Sequence, residues 1–413
     1  MDPERPHFLA RCPHVSVVAL SYPSLRPSWY HPYYFYNYGT STLATVHLVT
    51  RLYVDMTDAN QSLGSVLVVG GCGFLGHHIV RQLLESCVAS KVTVVDIRTD
   101  RNRHDAVAYC NADISSKKEV QSIFDQVRPR VVFHTASPPA IGHDMNLYVR
   151  VNVNGTKNLV ECALSTENTI AFVYTSSASV IHDSISDLVN VDESAPVLYM
   201  PTQREAYNHT KALAESLVLE ANRKNSRLLT TAIRPSGLFG EGDLTTVKPM
   251  VEAAASGKYK YQVGNGNSLF DWTYVGNAAQ AHILAALALV KADPIPNGDG
   301  VDGEAFLVTN DEPMPFWKFA RALGTAAGYP TKEKIRIIPR TVGLAMATIA
   351  EWLVWMTSFG RRKSSMTRHG IRFSTMTRTF RIDKARMRLK YKPLVDMKEG
   401  IRRAGKSFAN NAK

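Results

Sequence analysis

The sequence predicts an α/β protein: a doubly wound parallel sheet with a smaller C-terminal substrate lobe. Three observations carry this. An apolar run, Val66–Val69, ends in glycines spaced by three, Gly70, Gly73 and Gly76, and an amphipathic helical pattern starts at once, with Ile79, Val80, Leu83 and Leu84 on one face. A second apolar run, Lys91–Asp96, ends in an acid 20 residues past Gly76. Strands and helices then alternate through about 110 residues, which implies a parallel sheet with helices on both faces.

The glycines are needed for physical reasons. A strand, a tight turn and a helix start call for unusual dihedrals, and a side chain would hold a pyrophosphate away from the backbone N–H groups. The helix N-terminus adds unpaired donors and a partial positive charge. The expected dinucleotide cradle is Gly70, Gly73, Phe74, Leu75 and Gly76. Asp96 stands where this Rossmann-type arrangement places a carboxylate on the adenosine ribose. A carboxylate there repels a 2′-phosphate and favours NAD over NADP, although Arg98 and Arg101 stand near enough to accept one.

Further elements follow in order. Asn111-Ala112-Asp113 closes a short strand, with Asp113 and Ile114 placed toward the adenine; Lys117–Val127 is a helix. The buried strand Arg130–His134 leads into Thr135, Ala136 and Ser137, a strand end expected to face the cofactor. A long helix over Asn146–Leu164 carries Asn152, and the strand Ile170–Tyr174 runs into Thr175-Ser176-Ser177-Ala178. The helix Gln203–Asn222 carries Tyr207 and Lys211 on one face. The strand Leu228–Ile233 leads to Pro235, also assigned to the cofactor site. The predicted units are 61–240 for the dinucleotide core, 241–360 mainly for the substrate lobe and 361–413 for a basic tail.

Composition bounds the rest. The chain has 413 residues, 45% hydrophobic, enough for a sizeable core. Its five cysteines form no framework, which implies reduced thiols, and no spacing suggests a metal site. The net charge of +12 is concentrated at one end: residues 361–413 hold 17 Lys/Arg against 3 Asp/Glu. No recognition module accompanies these charges, so nucleic acid is not an expected partner. Residues 1–60 are rich in Pro and aromatics without a period and carry no signal-peptide pattern. They are expected to be a poorly ordered extension irrelevant to catalysis, with Met56 a natural start. Thr341–Phe359 is the most apolar helical stretch, with one charge, Glu351, two tryptophans and basic flanks. It is barely long enough to span a bilayer and fits a helix lying in the membrane surface; a core helix is the alternative.

The chemistry rests on Ser177, Tyr207 and Lys211. A phenol is a poor base near its usual pKa of about 10, and an ammonium one helical turn away is expected to lower it. Tyr207 would take the proton of a substrate alcohol while the nicotinamide takes the hydride. Ser177 would hold the substrate oxygen, Lys211 would also bind the nicotinamide ribose, and Asn152 would pin a relay water. Ser176 competes for the serine role; Ser177 is preferred because it immediately precedes Ala178. A tyrosine four residues before a lysine is common by chance, and the order of the surrounding motifs is what gives this pair weight.

G-G-C-G-F-L-G, V-N-V-N-G-T-K-N-L, Y-T-S-S-A-S-V, Y-N-H-T-K-A, I-R-P-S-G-L-F-G and D-W-T-Y-V-G-N-A-A-Q-A-H together resemble the extended short-chain dehydrogenases, in their 3β-hydroxysteroid dehydrogenase branch. N-D-E-P-M-P-F-W-K-F-A-R, Asn310–Arg321, resembles the sterol-4α-carboxylate 3-dehydrogenases (decarboxylating) within it. The likeness runs from Ser65 to the C-terminus; Val69 stands where the family usually has threonine. It implies NAD(P)-dependent oxidation of the 3β-hydroxyl of a 4α-carboxysterol, with CO2 lost from the β-keto acid. It further implies a sterol substrate, a peripheral or monotopic place on the endoplasmic reticulum membrane facing the cytosol, contact with other sterol C4-demethylation enzymes, and room for a homodimer. Two other readings are a 3β-hydroxysteroid or triterpenoid dehydrogenase of secondary metabolism and a nucleotide-sugar epimerase or dehydratase. A soluble sugar substrate requires neither the apolar helix nor the basic end.

Overall fold

In the computed structural model, the described residues are 62–409 apart from 141, 143, 226, 293–299, 360 and 363. The expected N-terminal extension and most of the Pro/Gly/Asp-rich loop 293–303 lie outside them. Strand β1 (Gly64–Val69) is an interior strand of the sheet, and Val66–Val69 are fully buried. Helix α1 (Phe74–Ser86) buries Leu75, Ile79, Val80 and Leu83 and stops at Cys87 in the left-handed region. There follow β2 (Ala89–Asp96), β3 (Ala108–Asn111), α2 (Lys117–Val127) and β4 (Val131–His134). The Ser116 hydroxyl caps α2 by accepting from the Glu119 N–H.

The expected long helix over Asn146–Leu164 is interrupted. An α turn, α3 (Met145–Tyr148), passes into a π-helical segment, Val149–Gly155, before α4 (Thr156–Ser165). Such widened turns are frequent at functional sites, and Asn152 sits in this one. Then come β5 (Ala171–Thr175), the edge strand β6 (Leu188–Val191), α5 (Ala206–Glu220) and β7 (Leu229–Pro235).

The second half interleaves with the first. Its elements are β8 (Gly237–Phe239), α6 (Val247–Ala255), β9 (Tyr261–Val263), β10 (Leu269–Phe270), β11 (Trp272–Tyr274), α7 (Val275–Lys291), β12 (Glu304–Val308), β13 (Met314–Pro315), α8 (Phe316–Ala326), β14 (Arg336–Ile338) and α9 (Arg340–Ser358). The chain closes with α10 (Arg368–Thr375), β15 (Arg378–Phe380), α11 (Asp383–Arg388) and α12 (Met397–Ala409). The main sheet is parallel in the order β12-β7-β5-β4-β1-β2-β3. So β12, sequentially within the substrate lobe, completes the dinucleotide sheet, and a division at residue 240 is not one of structure. A smaller sheet, β13-β10-β15-β6, lies beside it.

Residues 361–413 do not form a tail over their described length. Tyr391, Met397, Ile401, Ala404 and Phe408 are buried in the main core. A Cβ at Gly405 would stand 2.5 Å from the Ala326 Cβ, so α12 and α8 are in backbone contact. Apart from the buried Arg378, several of the segment's basic side chains meet acids of the rest of the chain: Arg381 pairs with Asp192, Lys384 with Glu304, Arg386 with Asp311. The composition of this segment reflects its outer face, while its apolar residues dictate that it folds inward.

Helix α9 buries only Gly343 and Ala347. Trp352 and Trp355 are 58% and 62% exposed, and Ile349, Leu353 and Met356 are exposed beside them. The core-helix alternative fails. Among the described residues no helix is long and apolar enough to cross a membrane.

Helix α5 is locked to the sheet by a buried ion pair. Arg234 donates from Nε to Glu215 Oε2 at 2.8 Å and from Nη2 to Oε1 at 2.5 Å. Removing one partner of such a pair leaves an uncompensated buried charge and costs about 3–5 kcal/mol. Arg234→Met should therefore lower the urea-unfolding free energy by about that amount, and Glu215→Leu with Arg234→Met should recover most of it. An additive double mutant would show that the pair does not hold α5.

Candidate active site

The site is assembled where β1, β2, β4, β5 and β7 end and the chain turns outward. Gly70 has φ +82°, and a Cβ on it would stand 2.6 Å from the Ala136 N. A Cβ at Gly76 would stand 2.2 Å from the Gly70 carbonyl oxygen. These two glycines let the turn close on itself and on the end of β4. Gly73 differs: it precedes α1 in extended conformation, has no side-chain cap, and a Cβ there would meet only the Gly70 oxygen, at 3.1 Å. The first turn of α1 thus presents backbone donors with no side chain in front of them, which fits a pyrophosphate.

Asp96 reaches this turn directly. Its Oδ2 accepts from the Cys72 N–H at 3.1 Å and its Oδ1 from the Arg98 N–H at 3.1 Å. Asn102, which sequence reasoning missed, donates to the Cys72 carbonyl at 2.9 Å and folds the loop after β2 over the glycines. Asp113 accepts from the Ser115 N–H at 2.8 Å. Three of the assigned side chains also have partners in the fold. The Ile114 side chain is buried in the core against the Cβ position of Gly155. The Thr135 hydroxyl donates to the Val69 carbonyl at 2.9 Å, pinning β4 to β1. Pro235 ends β7 in register with Val308.

Three of the four catalytic candidates, Tyr207, Lys211 and Asn152, come together. The Lys211 ammonium is buried and donates to the Thr175 carbonyl at 2.7 Å, with Nζ 6.0 Å from the centre of the Tyr207 ring. Tyr207 hydrogen-bonds the Ser137 hydroxyl and lies edge-on to Tyr148 at 5.7 Å. Ser137 Oγ donates to Asn152 Oδ1 at 3.0 Å, and Asn152 Nδ2 donates to Thr210 Oγ1 at 3.1 Å. Asn152 therefore braces the hydroxyl that meets the phenol. Ser137, expected at the cofactor, stands at the tyrosine; Thr210 and Tyr148 were missed, though Tyr148 lies four residues before Asn152 and Thr210 three after Tyr207. Ser177 caps the short 3-10 turn Ala178–Ile181, accepting from the Ser179 N–H at 3.1 Å. Ser176 is buried with its hydroxyl unpartnered.

The electrostatics run against the sequence expectation. Burial pushes the Tyr207 phenol up to about 12, opposed by the Ser137 hydrogen bond and assisted by Tyr148; the Lys211 charge is not among the causes. Burial also pushes Lys211 down to about 7, with Glu215 opposing. The ammonium is committed to the Thr175 carbonyl, and burial is the largest cause of both shifts.

Residues 67–339 match the model of the "3-beta hydroxysteroid dehydrogenase/isomerase family". The sterol-4-alpha-carboxylate 3-dehydrogenase, decarboxylating, of Schizosaccharomyces pombe is 40% identical over 347 residues, covering 83% of this chain and 96% of its own. Its Candida albicans namesake is 37% identical over 350 residues, covering 83% and 97%. Among solved structures, a UDP-glucose 4-epimerase of Thermus thermophilus, a complex with NAD, superposes with a TM-score of 0.60 at 22% identity, covering 84% of this chain and 99% of its own. That last likeness is one of fold.

The Lys211 shift fixes the sign of a pH effect. The buried lysine binds fewer protons than the unfolded one between about 7 and its ordinary 10.5. Its burial penalty is therefore full below about pH 7 and relieved as pH rises toward 10.5. The stability of the native protein relative to Lys211→Met should increase from pH 7 to pH 9 in urea titrations. A pH-independent difference would mean that Lys211 is not shifted.

Proposed function

This chain belongs to the 3-beta hydroxysteroid dehydrogenase/isomerase family, and on that premise we propose that it oxidises the 3β-hydroxyl of a sterol 4α-carboxylate to the ketone, with loss of the carboxyl group as CO2, in sterol C4-demethylation. The single observation that supports this most is the near full-length identity with enzymes of that name. The protein is an oxidoreductase, and its cofactor is a nicotinamide dinucleotide.

The residues fit that cofactor. Gly70, Gly73 and Gly76, with the first turn of α1, would hold the pyrophosphate, and Asp96 the adenosine ribose. A carboxylate already fastened to the glycine turn through Cys72 favours NAD over NADP. When bound, the oxidised nicotinamide supplies a hydride acceptor and a cationic ring. The protein's own groups handle the proton and the oxygen. Ser177 accepts one backbone N–H and keeps its hydroxyl proton for the substrate oxygen. Tyr207 takes the alcohol proton, and Ser137, held by Asn152, keeps the phenol oxygen in place. Lys211, held on the Thr175 carbonyl, would bind the nicotinamide ribose. The product is a β-keto acid. The C4–carboxyl bond breaks with its electron pair moving onto the C3 carbonyl oxygen, CO2 departs, and a proton returns to C4.

Helix α9 gives the substrate's origin a physical basis. Its exposed tryptophans and aliphatics, with Arg340, Arg361 and Arg362 at its ends, suit a helix lying in an anionic membrane surface. Glu351, the lone acid, is neutralised by Arg368 at 2.6 Å. The sterol partitions into lipid and is collected there, at the cytosolic face of the endoplasmic reticulum.

Two measurements check this reading. With a 4α-carboxy-3β-hydroxysterol and NAD or NADP, reduced cofactor should appear by absorbance and a ketone lighter by CO2 by mass spectrometry. Tyr207→Phe should lower kcat by about 10²–10⁴. Oxidation of a plain 3β-hydroxysteroid alone would keep the mechanism and reject the substrate. In flotation with phosphatidylcholine–phosphatidylserine vesicles, Trp352→Ser with Trp355→Ser should weaken binding at least about tenfold, with circular dichroism unchanged. Equal binding would remove α9 from the membrane.

A further inference from the structure

Arg378 is the unusual cation of this molecule. It lies on β15, opposite Phe270 of β10, and is 5% exposed. Its guanidinium stacks over Phe270 at 5.2 Å and Phe373 at 5.7 Å. One nitrogen, Nη2, donates to Ser179 Oγ at 3.0 Å; Nε is buried without a partner. Among the described residues no carboxylate pairs with it. Its fellow buried arginine, Arg234, has Glu215, and Arg381, Arg386, Arg402 and Arg403 of the same C-terminal segment all meet acids. Asp271, one residue past Phe270, accepts from the Phe380 N–H at 2.8 Å and forms no ion pair with Arg378.

A buried charge without a counter-ion is costly. A guanidinium in that state is a fork of unused donors whose geometry matches a carboxylate. Burial lowers this one to about 10, which leaves it charged at neutral pH. Its position gives the direction of the match. Ser179, which it touches, is the residue whose N–H donates to Ser177 Oγ at 3.1 Å. A substrate whose C3 oxygen is held by Ser177 carries its C4 substituent on the adjacent carbon, and Ser179 is the residue that links Ser177 to Arg378. Phe270 and Phe373, with ring centres 5.0 Å apart, supply an apolar wall beside the cation.

We propose that Arg378 is the receptor for the substrate's 4α-carboxylate and selects carboxysterols over sterols that lack the group. This rests on the function proposed above. It also gives the reaction a release step. The ion pair lasts while the carboxylate does; when the C4–carboxyl electron pair moves onto the C3 oxygen and CO2 departs, the anion is gone and Arg378 no longer holds the ketone.

The test compares the 4α-carboxy-3β-hydroxysterol with the 4α-methyl-3β-hydroxysterol in the full-length protein, native and Arg378→Gln. Loss of a charge-assisted hydrogen bond should raise KM for the acid about 10- to 100-fold, with kcat and the methyl sterol little affected. Equal losses on both sterols would make Arg378 a structural residue, and unchanged kinetics on the acid would remove it from recognition; either overturns the proposal. Should Arg378→Gln not fold, Arg378→Lys keeps the charge and loses the fork, and its smaller rise in KM must again be confined to the acid. Native protein that oxidises the methyl sterol and not the acid refutes the proposal while the dehydrogenase stands. Native protein inert toward both refutes the functional reading itself.

Discussion

The approach of backbone to backbone at Gly70 and Gly76 is the constraint on which the rest of the site depends. With side chains at those positions the turn would collide with Ala136 at the end of β4 and with its own carbonyl. Because they are bare, the start of α1 and the ends of β1, β2 and β4 draw together, and Asp96 and Thr135 fasten the junction by hydrogen bonds. The dinucleotide is thereby given a fixed address. Tyr207 and Lys211 need only be carried to that address by α5, which the Glu215–Arg234 pair secures to β7.

Much of this was legible in the sequence because it depends on local pattern. The buried valines of β1, the glycine spacing and the acid ending β2 each follow from backbone geometry over a few residues, and α2 runs over the very residues its periodicity indicates, Lys117–Val127. Tyr207 and Lys211 were readable since four residues make one helical turn. The Ser137–Asn152–Thr210 chain was not, because it joins residues from three elements and Asn152 is aimed by a π-helical segment with no sharp sequence signature.

Two expectations differ from the structure, one drawn from net charge and the other from spacing along a helix. Net charge made residues 361–413 look like a tail, although the buried Tyr391, Ile401 and Phe408 belong to the main core. The Tyr207–Lys211 spacing implied a phenol with a lowered pKa, yet the Thr175 carbonyl captures the ammonium and burial dominates both groups. In each case a partner distant in sequence decides the outcome.

The inward fold of the C-terminal segment bears on how the protein is made. Phe239 and Tyr274 lie against Gly400 of α12, and Ala326 against Gly405, so this side of the core stays uncovered until α12 has left the ribosome. Domains generally close as units during synthesis; here closure waits for α12. Helix α9 emerges before that helix does, with its tryptophans already outward. A nascent chain therefore presents the exposed apolar face of α9 before its interior is sealed, which makes the unfinished molecule prone to aggregation.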